Sequence, residues 1–440
     1  MRVEKLLKVD SKSLNVLRKG KSITLVSENE KCRLDVPYGL SEGIVFPIGP
    51  TKAACSGEVE FTIRSKKAIL RGKGNVALLG DPASHEAERA ALVYRSPEAL
   101  TYIKRGWVLA KLVPQSLTLE SGGAEKKEEF SVDELRTSMR LKYLKALKPW
   151  TFQQTASSAV IASLLAPRIS WYLFFVSIGL LLVAHSAFNM MNDYFDYTSS
   201  LDKPNNMGSM GSRVLVDKLI EVKTFRTYML SFFVVALVGG LYLVSMRPSV
   251  LPYFLIGAIA GSLYSVPRVG LRWIALGDLA IFLTWGPGIF LGTYVLQGGA
   301  VNPPMILVSA GIGMLVLAIA HINNWRDLKD ERATGIVSVA SLLGERLSLV
   351  YYLIMIWGSY IVFGLAVLLQ PKLFPILGSL LTVPWAVRLT RATRNPTDPM
   401  RDRLDLETAK FTALHMYFTV AFVIMFRFMP HVASAYLTGT

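Results

Sequence analysis

The stretch Asn189-Met190-Met191-Asn192-Asp193-Tyr194-Phe195-Asp196 closes a long apolar run, and Asp202 follows it closely. A second stretch, Asn323-Asn324-Trp325-Arg326-Asp327-Leu328-Lys329-Asp330-Glu331, closes another. Carboxylates in or beside a bilayer are costly and are retained there with a partner or a task. Residues three or four apart on a helix share a face. Asn189, Asp193 and Asp196 therefore form one polar stripe, and Asn323, Asp327, Asp330 and Glu331 form another. Either cluster alone reads as a solvated helix end or a structural ion pair. The same arrangement twice, with Asn just before the acids at the end of an apolar helix, points to one shared site.

The rest of the chain gives these clusters a membrane. Its 440 residues divide sharply in character. Residues 1 to about 140 are mixed and rich in Lys, Arg and Glu, whereas apolar runs dominate beyond 150. A membrane-spanning helix needs about 20 apolar residues. Nine such spans are expected at roughly 151–167, 170–191, 225–246, 249–266, 277–297, 304–324, 347–370, 373–391 and 410–429. The first is diluted by Gln153, Gln154 and several Ser and Thr, so an interfacial helix is its alternative. The formal net charge of +16 suits cytoplasmic loops and anionic lipid rather than nucleic acid. With the N-terminal half inside, the loops carrying Lys203, Arg213, Arg268, Arg272, Arg326, Arg332, Arg391 and Arg401 face the cytoplasm. The opposite loops carry little beyond Arg168, Arg247 and Lys372. That asymmetry predicts a multi-pass cell-membrane protein with both acidic clusters and the N-terminal domain on the cytoplasmic side. The first residues contain no apolar core of signal-peptide length. Cys32 and Cys55 show no metal-ligand spacing.

Magnesium takes oxygen ligands and commonly joins one or two carboxylates to substrate phosphates. Two facing carboxylate patches would suit two such ions on a diphosphate, with Lys203, Arg213, Arg268, Arg272, Arg326 and Arg332 supplying positive charge to a departing diphosphate.

These residues resemble the intramembrane aromatic prenyltransferases of the UbiA superfamily, and within it most resemble the 1,4-dihydroxy-2-naphthoate polyprenyltransferase group of menaquinone synthesis. The first motif is Asn192-Asp193-Tyr-Phe-Asp196 continuing to Asp202-Lys203-Pro204, Gly208 and Gly211. The second is Ile322-Asn323-Asn324-Trp-Arg326-Asp327, followed by Arg332, Gly335 and Leu343-Gly344. Tyr264 and Leu276-Gly277-Asp278 resemble the central segment, and Lys148-Pro149 resembles the segment before the first span. The likeness covers roughly 145–440, and it implies the nine-helix fold. It implies that Asn189, Asn192, Asp193, Asp196 and Asp202 serve a first Mg2+ and the diphosphate, and that Asn323, Asp327 and Asp330 or Glu331 serve a second. It places Arg213 and Arg268 at the phosphates, with Lys203, Asn324, Arg326 and Arg332 as further substrate contacts. Tyr264 would stabilise an allylic cation through its ring face. The chain departs from the family at Glu331, where Asp is usual, and at Ile336, where Lys commonly follows the glycine.

Residues 1–121 read as a soluble, mainly-β domain. Strands are expected at Ser22–Ser27, Gly43–Ile48, Val59–Ile63, Lys73–Leu79 and Trp107–Leu119, and a helix at Ser84–Tyr94 with a second after Ser96-Pro97. The order resembles the split β-barrel of pyridoxamine-phosphate-oxidase-like flavoproteins. No flavin-phosphate segment is present, so a cofactor-free partner or regulatory domain is expected. Arg71-Gly72-Lys73-Gly74 lacks P-loop spacing and reads as a basic turn between strands. Residues 122–147 follow as a charged linker, Gly122–Glu134, and a basic amphipathic helix, Val132–Leu147. Residues 148–440 form the membrane domain. His185, His321 and His415 read as helix-packing residues rather than ligands.

The expected activity is Mg2+-dependent transfer of a polyprenyl group from prenyl diphosphate to an aromatic acceptor. Asp202-Lys203-Pro204 favours dihydroxynaphthoate; 4-hydroxybenzoate, homogentisate and an archaeal ether lipid are the alternatives. A transporter with a sensor domain would instead show inverted repeats and broken helices, and neither is evident. Asp193→Ala and Asp327→Ala should each lower magnesium-dependent diphosphate release by on the order of 100-fold. Full release by both variants in a coupled phosphate assay would refute the assignment.

Overall fold

The computed structural model describes residues 20, 22–27, 33–40, 43–49, 57–65, 68–96, 98–121, 124–128, 142–201, 211–216, 219–328, 331, 334–398 and 400–428. Asp202, Lys203, Asp330 and Arg332 lie outside them, as do both cysteines and most of the expected amphipathic helix. The chain divides into two compact units, one holding the strands, with Arg213–Leu219 grouped with it, and one holding the helices from Tyr143 onward.

The first unit is a strand-rich half-barrel. Its strands are β1 (Ser22–Ser27), β2 (Arg33–Pro37), β3 (Gly39–Leu40), β4 (Ile44–Ile48), β5 (Gly57–Arg64), β6 (Ile69–Gly80), β7 (Val108–Ser121) and β8 (Ala124–Glu128). They pair antiparallel in the order β2-β1-β5-β6-β7-β4-β3, with β8 also on β7. Alternation of side chains across a strand turns Val59, Phe61 and Ile63 of β5 inward, against Ile23 and Leu25 of β1. Helices α1 (Glu86–Arg95) and α2 (Ala99–Lys104) separate β6 from β7, as the sequence predicts.

Two expectations fail here for identifiable reasons. Arg71-Gly72-Lys73-Gly74 is no turn; it lies inside β6. A Cβ on Gly72 would lie 2.2 Å from Ser116 O and 2.7 Å from the Phe61 ring. The glycines therefore serve close packing within the sheet rather than chain reversal. The charged stretch after Ser121 is also more than a linker, because β8 pairs with β7 from Leu117↔Glu128 to Ser121↔Ala124.

In the second unit, α3 (Lys142–Ala146) and a 3₁₀ turn at Pro149–Thr151 lead into α4 (Phe152–Leu165). Next come α5 (Trp171–Thr198), α6 (Val222–Met246), α7 (Pro248–Tyr264), α8 (Gly277–Leu296), α9 (Pro303–Arg326), α10 (Val339–Leu369), α11 (Pro371–Arg394) and α12 (Leu404–Phe428). Each expected span is helical. Among the described residues, seven helices are long and apolar enough to cross a membrane: α5, α6 and α8 to α12. α4 and α7 are shorter, with 14 and 17 residues. Helix α9 is the hub: Val308, Ile312, Leu315 and Ile322 pack with Tyr352, Ile356 and Phe363 of α10 and Phe411 of α12. Pro287 lies in a π-helical stretch of α8, as expected where proline removes a helical N–H. Gly344 takes φ 72 and interrupts α10 one turn after its start, a conformation that favours glycine.

The half-barrel yields a stability test. A Cβ on Gly39 would stand 2.4 Å from Leu92 Cα of α1, and backbone cannot move aside as a side chain can. Gly39→Ala should destabilise the strand domain by about 1–3 kcal/mol, read in full-length protein as faster amide exchange in β3 and β4. Unchanged exchange would contradict the close approach.

Candidate active site

Three segments of the helical unit bring charge to the end of α5. Asp193 is buried, at 5% exposure. Its Oδ1 accepts from Lys148 Nζ at 2.5 Å. Its Oδ2 accepts from Ser212 N at 3.1 Å and also from the Ser212 hydroxyl. Lys148 Nζ donates as well to Asn192 Oδ1 at 3.3 Å, and Asn192 Nδ2 donates to Asp196 Oδ2 at 3.0 Å. Arg272 Nη1 donates to both oxygens of Asp196, at 3.0 and 2.9 Å.

The second cluster lies beyond Arg272. The two loops that carry Arg272 and Glu331 are joined by backbone: Ala275 N donates to Val337 O at 2.6 Å, and Val337 N to Trp273 O at 3.3 Å. Glu331, 3% exposed, accepts from Ser338 Oγ at 2.5 Å. Burial pushes its carboxyl from an ordinary 4.5 up to about 7; the Ser338 bond and Arg272 oppose the rise, and Asp327 and Asp278 add to it. Asp196 raises the pKa of Arg272 most, and Tyr264 and Glu331 also act in that direction. One guanidinium is thus electrostatically shared by both clusters. Arg326 clasps Asp327 with two bonds, Nε to Oδ1 at 2.8 Å and Nη2 to Oδ2 at 2.7 Å, and also pairs with Asp405 of α12. Asn323 Oδ1 is buried with no hydrogen-bond partner among the described residues. Asn324 is half-buried on the same helix end.

A directed hydrogen-bond chain holds the start of α4 against α5. Trp285 Nε1 donates to Thr155 Oγ1 at 3.1 Å, so the Thr155 hydroxyl proton is free to point at His185 Nδ1, 2.8 Å away. His185 then carries its proton on Nε2 and donates to Thr151 Oγ1 at 3.3 Å. Thr151 in turn donates to Lys148 O at 2.8 Å while accepting from Asn189 Nδ2 at 3.0 Å. The chain therefore fixes the backbone of Lys148, the partner of Asp193. His321 is likewise committed, between Asp278 Oδ2 at 2.9 Å and Ser348 O at 3.2 Å, and His415 bonds Thr382.

A cavity of about 710 Å³ opens beside the first cluster. Asn189, Asn192, Tyr264 and Ser265 line its polar part, and Leu180, Phe188, Phe233, Leu237, Phe254 and Ile281 are among its apolar walls. Gly257 also lines it, and a Cβ there would meet no atom within 4 Å.

Asn189, Asn192, Asp193, Asp196 and Tyr264 therefore meet at this cavity and its charged border, and Asn323, Asn324, Arg326, Asp327 and Glu331 gather at the end of α9. The two expected cations Arg268 and Arg213 both have left-handed backbone. Arg268 is exposed, in a left-handed conformation (φ 66), and it is Arg272 that pairs with Asp196. Arg213 is buried, also left-handed (φ 58). Ile336 is buried. Sequence reading did not select Lys148, Ser212, Ser338 or Asp405 as site residues. Lys148 alone carried a signal, as the cation nearest the first span. Among the described residues no three His, Cys, Asp or Glu side chains form a ready-made metal cage; Asp193, Asp196, Asp327 and Glu331 are each turned to a cation or a hydroxyl.

The UbiA prenyltransferase family matches residues 155–432. This chain belongs to that family. It is accordingly a prenyltransferase, and its membrane-length helices make it a multi-pass membrane protein. UbiA prenyltransferase domain-containing protein 1 of Homo sapiens is 29% identical over 290 residues, covering 64% of this chain and 83% of that protein. The Drosophila melanogaster homolog is 28% identical over 298 residues, covering 66% and 80%. A UbiA homolog from Archaeoglobus fulgidus, solved bound to GPP and Mg2+, superposes with a TM-score of 0.49 at 16% identity, covering 64% of this chain and 99% of that one.

The raised pKa of Glu331 has a defined sign. A carboxyl neutral in the fold up to about 7 but ionised above 4.5 when unfolded contributes stability at low pH that is lost as pH rises through that window. In metal-free buffer, Glu331→Gln should flatten the fall in Tm between about pH 5 and 7.5 relative to the parent chain. Identical Tm profiles would contradict the burial.

Proposed function

We propose that the chain transfers a polyprenyl group from its diphosphate to 1,4-dihydroxy-2-naphthoate. The observation that carries this reading is the charged border of Lys148, Asp193, Asp196 and Arg272 beside an apolar cavity in the same helical unit. Asn192, Asp193, Asp196 and Asp202 would hold one Mg2+, and Asn323, Asp327 and Asp330 or Glu331 a second. The donors are all oxygen, which suits a hard cation, and the unpartnered Asn323 Oδ1 fits a ligand or substrate contact. Magnesium bound there would neutralise diphosphate charge.

The chain's own residues then have defined tasks. Cations now held by carboxylates, Lys148 and Arg272, turn to the diphosphate oxygens once the carboxylates take other partners, and stabilise charge as the C–O bond breaks. The apolar walls exclude water from the allylic cation, and the Tyr264 ring at the polar part faces it. The acceptor ring supplies the electron pair of the new C–C bond, and its carboxylate leaves as carbon dioxide in place of a ring proton. The naphthoate assignment rests on the resemblance of Asp202-Lys203-Pro204.

We read the membrane domain, 148–440, as nine crossings of the cell membrane, with α4 and α7 as the two short ones. The acidic ends face the cytoplasm, supported by the basic loops beside them. Residues 1–121 would form a split-barrel-like partner or regulatory domain without flavin, joined through 122–147.

Purified protein with Mg2+, prenyl diphosphates of graded length and a panel of acceptors should yield a prenylated naphthol lacking the carboxylate, detected by mass spectrometry. Product from hydroxybenzoate or homogentisate alone would overturn the acceptor and leave the transferase intact. Gly257→Phe should lower turnover of long-chain diphosphates by at least on the order of tenfold more than that of dimethylallyl diphosphate, because the ring fills cavity space. Equal losses for all lengths would show that the tail lies elsewhere.

A further inference from the structure

A second cavity, of about 600 Å³, lies at the opposite end of α5. It is lined by Arg168, Ser170, Arg247 and Gln297 together with apolar Ile169, Leu173 and Leu296, and among the described residues no acidic side chain lines it. Asp193 is about 33 Å along α5 from Trp171 at 1.5 Å per residue, close to the ~30 Å thickness of a hydrocarbon core. The cavity thus belongs to the membrane interface remote from the acidic clusters.

Its polar walls are already built. Gln297 Oε1 accepts from Ser170 N at 2.8 Å and its Nε2 donates to Ser170 O at 3.3 Å, closing the loop before α5 onto the loop after α8. Arg247 Nη1 donates to Val295 O at 3.4 Å and lies over Gly298, where a Cβ would be 3.1 Å from it. Gln297 is therefore committed to the frame, and the two arginines remain as the cavity's charge.

The surroundings are those of a lipid interface. Trp171, Tyr172 and Phe175 are 52%, 56% and 67% exposed. Trp171 stacks on Phe428, and the Tyr172 hydroxyl meets that of Tyr242 at 2.7 Å. Exposed Trp and Tyr mark the headgroup level. Arginine suits a phosphate through its planar fork of donors.

We propose that this cavity binds the phosphate of an anionic phospholipid headgroup, between Arg168 and Arg247, with the acyl chains running down the exposed face of α5. The site is independent of the transfer reaction.

The test uses the full chain in nanodiscs of phosphatidylcholine with or without phosphatidylglycerol, with lipid retention read by native mass spectrometry and Tm in parallel. Two cations at a membrane surface predict a preference for phosphatidylglycerol on the order of tenfold. Arg168→Gln/Arg247→Gln should abolish that preference and Arg168→Lys/Arg247→Lys should keep part of it, with magnesium-dependent transfer unchanged in both. Equal retention of the two lipids by the parent chain, or an undiminished preference in the Gln pair, overturns the proposal. Stabilisation by inorganic phosphate equal to that by phosphatidylglycerol overturns the lipid as its source.

Discussion

A carboxylate at the end of a membrane helix has to be neutralised, and the helical unit is arranged around meeting that demand. Asp193 is matched by Lys148, Asp196 by Arg272, and Asp327 and Asp405 by Arg326. Breaking such a buried pair is far more costly than never forming it, because the remaining charge is stranded. Three of the pairs also tie two elements together: Lys148–Asp193 the segment before α4 to α5, Arg272–Asp196 the loop after α7 to α5, and Arg326–Asp405 α9 to α12.

Arg272 carries the largest share. It is bonded to the first cluster and raised electrostatically by both. Its loop is stitched to the Glu331 loop by backbone bonds around Val337. The two clusters are therefore linked through backbone as well as charge. A charge change at one is felt by the other through a single guanidinium, so two motifs well separated along the chain share one electrostatic environment.

Around this charged frame, the neutral parts are equally committed. The chain from Trp285 through Thr155, His185 and Thr151 to Lys148 O has each proton assigned by donor and acceptor count. It places the cation that meets Asp193 by fixing its backbone. The apolar cavity adjoins the polar ends of α5 and α7, so apolar and charged surroundings lie side by side within one bundle.

The sequence by itself determined the helices, because runs of about 20 apolar residues have few other stable outcomes. It also determined the two acidic motifs and most strands of the half-barrel, whose alternation is local. Tertiary structure decided what local pattern cannot carry. Gly72 and Gly74 looked like a turn until Ser116 O and the Phe61 ring at the first, and Val113 O at the second, showed why a strand needs glycine there. Arg268 and Arg272 are equally basic on paper, yet only the second is turned to Asp196, since the loop conformation and the bond to Val337 choose between them. Lys148, Ser212, Ser338 and Asp405 became partners for the same reason: a counter-charge or hydroxyl is selected by distance in space, and spacing along the chain does not encode it.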